Sequence, residues 1–309
     1  MSKKSPVVIT TKQAKRQINH FGRSLLIYIL SFMAVRYGRS TIYAMAPQLF
    51  FGMDEEVASI CMIGAALLFV TLIPFSISAA FLRLNIRDYL KNPRLRGDRV
   101  LAIICIGIGI NLTVTSLSTL FYFFFHTNST TYSFLGDFST KTSLIKNLIY
   151  LLVFVLIRPI CDEYIFRGII QRQLGHYGRY FGVLGSAVLY AIAQTNLVDA
   201  IPAFVVGWYL SLITLRYHSI RPAIQVHICL ELFLFALEVI PGNYLWVITI
   251  FIVLIYILAG LFLFQRRVDT DLIRYGATEV KLWRILLTSF TIVLCIILFI
   301  ANVVISLQI

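Results

Sequence analysis

The stretch CDEYIFRG, Cys161 to Gly168, sets two adjacent carboxylates and a guanidinium at the end of a long apolar run. Charge that close to hydrocarbon is costly unless it is paired or enclosed among polar groups. The surrounding composition says the hydrocarbon is real. Hydrophobic residues make up 59% of the 309 and charged residues only 13%, against roughly 25% in a soluble domain. Several apolar runs reach the about 20 helical residues that cross a bilayer. The sequence predicts an all-α, multi-pass transmembrane helical bundle with about eight to nine spans, short loops and no interdomain linker.

Outward from that stretch, charge orders the chain. Residues 1–23 carry six basic residues and no acid, which predicts a cytoplasmic tail. No cleaved signal peptide is expected, because the following apolar run lacks a small-residue cleavage site. Spans are predicted at 24–47, despite Arg36 and Arg39, and at 57–82, 100–125, 144–160, 180–198, 200–216, 222–240, 244–264 and 285–306. The loop 83–99 is strongly basic and reads as inside. The loop 126–142, with the sequon at Asn128, reads as outside. Arg266 and Arg267 stop the eighth span inside. The chain divides into the tail, helices over 24–143, a core over 144–240 and helices over 241–309. The net charge of +13 encodes this cell-membrane topology rather than an affinity for nucleic acid. Tail and loop could also touch anionic lipid. Five scattered cysteines fit core positions, not disulfides or zinc.

Three polar pairs fall within the core. Glu163 and Arg167 are four apart and share a helix face, as do Asp162 and Phe166. The acid–arginine pair either ties a helix to a loop or holds a carboxylate ionised for chemistry. Gln194 shares a face with Tyr190 and either glues helices together or orients a water. His227 and Glu231 form an ionisable pair inside an apolar run, which is a functional-site signal. Carboxylates from one segment and a His–Glu pair from another could activate water for peptide hydrolysis, with His227 stabilising an oxyanion. A divalent metal on Glu163, His227 and Glu231 is the lesser alternative, since no HExxH motif is present. No cofactor is expected.

These residues resemble the CAAX-protease and bacteriocin-processing family, also called CPBP or Abi, whose members are intramembrane glutamic endopeptidases. Asp162, Glu163 and Arg167 occupy the positions of its Glu-Glu-x-x-x-Arg motif. Tyr190 and Gln194 occupy those of Phe-x-x-x-His, and His227 and Glu231 those of His-x-x-x-Asn. The resemblance covers about 145–240. It implies a bacterial cell-envelope protein and a catalytic set of Asp162, Glu163, Arg167, Gln194, His227 and Glu231. Three of these differ from the family pattern. Asp162 is one methylene shorter than the water-activating Glu. Gln194 cannot relay a proton as His does. Glu231 brings charge where a neutral Asn stands. The resemblance thus implies a degenerate member that acts as a scaffold or regulator of a membrane or envelope partner. The alternatives are an active endopeptidase with a variant centre, acting on a membrane-proximal peptide, and a transporter or lipid-handling protein that binds solute or protons.

Overall fold

The computed structural model describes residues 11–91, 93, 95–125, 141–194, 196–239 and 279–308. The regular elements there are helical. The main ones are α1 (Thr11–Met45), α2 (Glu55–Phe81), α3 (Gly97–Phe125), α4 (Leu144–Gly175), α5 (Arg179–Ile192), α6 (Leu197–Tyr217), α7 (Arg221–Val239), α8 (Glu279–Leu287) and α9 (Phe290–Gln308).

The expected eight to nine spans are not found. Among the described residues, five helices are long and apolar enough to cross a membrane: Thr11–Met45, Glu55–Phe81, Gly97–Ser118, Leu144–Gly175 and Leu197–Tyr217. A sixth arises if the bent pair Lys281–Leu287 and Phe290–Ile305 counts as one broken span. Among the described residues the protein is a multi-pass membrane bundle with about five such helices, or six with the bent pair. Two causes reduce the number. The span expected at 180–198 is a helix of only 14 residues, ~21 Å long against a hydrocarbon core of ~30 Å. The span expected at 285–306 is broken by 67° where the hydroxyls of Thr288 and Ser289 bond back to the carbonyls of Arg284 and Ile285. The helix at 222–240 is α7, which is not among the five. The span expected at 244–264, the loop 126–142 with Asn128, and Arg266 and Arg267 lie outside the described residues.

The run 144–160 also extends further than expected. It continues through the charged stretch to Gly175 as one 32-residue helix. Two of its stretches are widened, Leu151–Ile157 and Glu163–Ile170: Gln171 N–H bonds to Phe166 and Arg158 N–H to Val153, five residues back rather than four. Such π-type turns are rare and cluster at functional sites.

Two apolar cores hold the bundle. In the first, α1 presents Ile18, Phe21, Leu25, Tyr28 and Ile29 at helical spacing to Phe75 of α2, to Ile165, Phe166 and Ile169 of α4, and to Ile292 of α9. Its contacts with neighbours are close. Ser24 Oγ lies 2.8 Å from Ser78 Oγ and donates to the Pro74 carbonyl at 3.0 Å. Asn19 Oδ1 accepts from the N–H and hydroxyl of Thr291, which restarts α9 after its break. In the second core, α3, α6 and α7 join through Ile108, Leu112, Leu210, Ile213, Val226 and Leu230. Helix α4 belongs to the first core and α7 to the second, so polar residues on their facing sides, such as Glu163 and His227, are enclosed between the two.

Candidate functional site

Asp162 and Glu163 are both wholly buried, and adjacency on a helix turns them to different neighbours. Asp162 faces α1 and α5. Its Oδ1 accepts a hydrogen bond from Tyr28 Oη at 3.0 Å, and its Oδ2 accepts from Tyr190 Oη at 3.4 Å. One turn earlier on α4, Arg158 Nε stands 3.6 Å from the same Oδ2. Glu163 faces α7. Its Oε1 meets Arg167 Nη1 at 3.0 Å and His227 Nδ1 at 2.9 Å. Its Oε2 is buried with no hydrogen-bond partner.

Arg167 is the largest wholly buried side chain of the described residues. Besides Glu163 it donates from Nη2 to the Gly207 carbonyl at 2.9 Å and lies over the Tyr190 ring, 4.8 Å from its centroid. A β-carbon at Gly207 would stand 3.0 Å from Tyr190 Cδ1 and 3.1 Å from Arg167 Nη2, so the bare backbone makes this approach possible. One turn on, Gln171 Nε2 repeats the pattern on the Ser211 carbonyl at 2.8 Å. Helices α4 and α6 are thereby stitched by two side-chain amide and guanidinium donors.

His227 has a carboxylate at each nitrogen: Glu163 at Nδ1, and Glu231 at Nε2 at 3.6 Å. Gln194 turns inward on its own helix. Its Nε2 donates to the Tyr190 carbonyl at 3.1 Å, and its Oε1 accepts from Arg158 Nη2 at 3.4 Å. The six sequence-predicted residues therefore come together around Arg158 and Tyr190, in two linked groups. One holds Asp162 and Gln194, and the other Glu163, Arg167, His227 and Glu231.

Three carboxylates here face two guanidinium groups and one imidazole. Neutrality in a low-dielectric interior needs one proton more, on His227 or on a carboxyl group. A buried set of this kind is strongly coupled: removing one partner strands a charge at a cost of about 3–5 kcal/mol. Chemically, Glu163 Oε2 offers an acceptor beside an imidazole, whereas both oxygens of Asp162 are engaged. Among the described residues no group of three or more His, Cys, Asp or Glu is placed to hold a metal ion.

Sequence reasoning missed Tyr28 and Arg158. Arg158 had a signal, its i to i+4 spacing from Asp162. Tyr28 had none, because nothing local links the first helix to the fourth.

Residues 144–233 match the family model described as "Type II CAAX prenyl endopeptidase Rce1-like". No curated protein and no solved structure matches the chain.

Proposed function

Over residues 144–233 this chain belongs to the Rce1-like CAAX-endopeptidase family, and from that premise we propose that it works as a catalytically degenerate member, a membrane scaffold or regulator that holds a membrane or cell-envelope partner. The observation that carries this reading is the capture of Asp162. A general base needs an oxygen within reach of the water it activates. At the position where the family places that base, Tyr28, Tyr190 and Arg158 occupy both oxygens, and the side chain has no exposed surface. Gln194 supports the same reading, since its amide hydrogens go to its own helix. The basic tail and the basic loop 83–99 support an N-terminus on the cytoplasmic side.

A second reading rests on a different observation. Glu163 Oε2 is unpartnered, and the neighbouring Oε1 bonds to His227. That arrangement favours a rewired endopeptidase in which Glu163 takes the proton of a water and His227 steadies the developing charge.

One experiment separates the two. The purified protein in lipid bilayers is given a broad library of membrane-proximal and C-terminal peptides, and products are followed by mass spectrometry. The scaffold reading expects no product from the wild type. Products that vanish in both Glu163→Gln and His227→Gln, with each variant folded, would replace it with the rewired endopeptidase.

A further inference from the structure

Helix α8, Glu279–Leu287, takes no part in the buried polar centre. It turns through 67° into α9, Phe290–Gln308. The 19 residues of α9 hold no charge, and the helix is ~29 Å long against a hydrocarbon core of ~30 Å. Helix α9 therefore fills the apolar thickness by itself and leaves α8 outside it. It runs parallel to α1, since Thr291 meets Asn19 and Asn302 meets Tyr37. Helix α8 thus lies at the end of the bundle where α1 begins, inclined toward the membrane plane.

The two faces of α8 differ. Leu286 is wholly buried, and Leu282, Trp283 and Ile285 are partly buried against the first core. Trp283 meets Phe181 of α5 edge-on, with ring centroids 5.3 Å apart. Lys281, Arg284 and Thr288 follow at i, i+3 and i+7 and form an exposed stripe opposite Leu286. Neither cation has an ion-pair partner among the described residues. Arg179, two positions before Phe181 on α5, adds a third exposed cation at the same end. Flanking the stripe, Leu287 is 44% and Phe290 70% exposed. This is the make-up of a helix in the membrane interface, with an apolar face toward hydrocarbon and basic groups toward the headgroups. A soluble anion would account for the cations but not for the exposed Leu287 and Phe290 beside them.

We infer that α8 is an in-plane interfacial helix whose Lys281–Arg284 stripe binds the phosphate of an anionic phospholipid, with Arg179 beside it. The phosphate oxygens accept from the ammonium and guanidinium groups, and the acyl chains lie along Leu287 and Phe290. A net-anionic headgroup is favoured over phosphatidylcholine, whose own ammonium already offsets its phosphate. The inference is independent of whether the centre at Glu163 cleaves peptides.

The full-length protein in detergent is titrated with phosphatidylglycerol or phosphatidylcholine, and retained lipid is followed by native mass spectrometry. Phosphatidylglycerol is expected to bind more tightly. Lys281→Gln/Arg284→Gln is expected to weaken that binding about 25-fold, about fivefold for each basic residue at an anionic surface. Both positions are exposed, so the fold should survive. Arg96→Gln/Arg99→Gln, an equal loss of charge in the basic loop, is expected to keep the preference. Equal retention of the two lipids by the wild type would overturn the site. Equal losses in the two double variants would overturn it too, by assigning the preference to net charge. Displacement of the lipid by excess glycerol phosphate would assign the stripe to a soluble phosphate ester and likewise overturn it. Depth is read with Leu287→Trp in liposomes of brominated lipid, against the wild-type signal. Quenching is expected to be strongest for bromines near the headgroup, and strongest quenching by bromines at the chain ends would overturn the in-plane helix.

Discussion

Tyr28 and Asp162 are 134 residues apart in the chain, yet the tyrosine hydroxyl donates to the aspartate at 3.0 Å inside the bundle. The pair ties α1 to α4 and engages one oxygen of the buried carboxylate. Packing around it is apolar and aromatic, with Phe32 stacked on Tyr28 and Phe166 edge-on to it.

Tyr28→Phe keeps the ring and deletes the donor. Asp162 Oδ1 is then left with no protein donor in a buried place, a loss of about 1–3 kcal/mol. A lower thermal midpoint in detergent is the expected outcome. Ser31→Ala removes a hydroxyl that bonds only locally, to the Tyr28 carbonyl, and should leave the midpoint nearly unchanged. Equal midpoints for Tyr28→Phe and wild type would mean that the hydroxyl contributes nothing.

Glu163 and Arg167 are both wholly enclosed. Arg167→Met strands Glu163 beside His227 and is expected to cost about 3–5 kcal/mol. Adding Glu163→Gln removes the stranded charge and should recover part of that loss. A double-mutant cycle on unfolding free energies measures the coupling, and additive losses would mean the two side chains act separately.

Two glycines respond differently to one added methyl group. At Gly182 a β-carbon would stand 2.8 Å from the backbone of Gln171 and Gly175, which cannot move aside. At Gly207 it would meet side-chain atoms of Tyr190 and Arg167 at 3.0 and 3.1 Å. Gly207→Ala is expected to cost about 1–3 kcal/mol, the usual range for overpacking, and Gly182→Ala more. Folded yield and midpoint in detergent give the order, and the reverse order would contradict this account of the α4–α5 contact.

Asn196, next to the Gln194 that drew attention in the sequence, caps α6. Its Oδ1 accepts from Asp199 N–H at 2.7 Å. Asn196→Ala is expected to cost about 1 kcal/mol, while Asn196→Ser, which keeps a capping acceptor without setting a second carboxylate beside Asp199, should cost less. Equal losses in the two variants would count against the cap.

Hydropathy and i to i+4 spacing made the helical membrane class readable from the chain alone. They also put Glu163 with Arg167, and His227 with Glu231, on shared faces, because both signals lie within one or two turns of a helix. Span number was less legible. The charges of 162–167 read as the end of a span, but Glu163 forms ion pairs with Arg167 and His227, so the helix runs through them to Gly175. Only tertiary structure decided that Gly207 admits the Arg167 guanidinium and that Tyr28 and Tyr190 claim Asp162. Each of these depends on which helix packs against which, and residues far apart in the chain leave no periodic trace of the contact they will make.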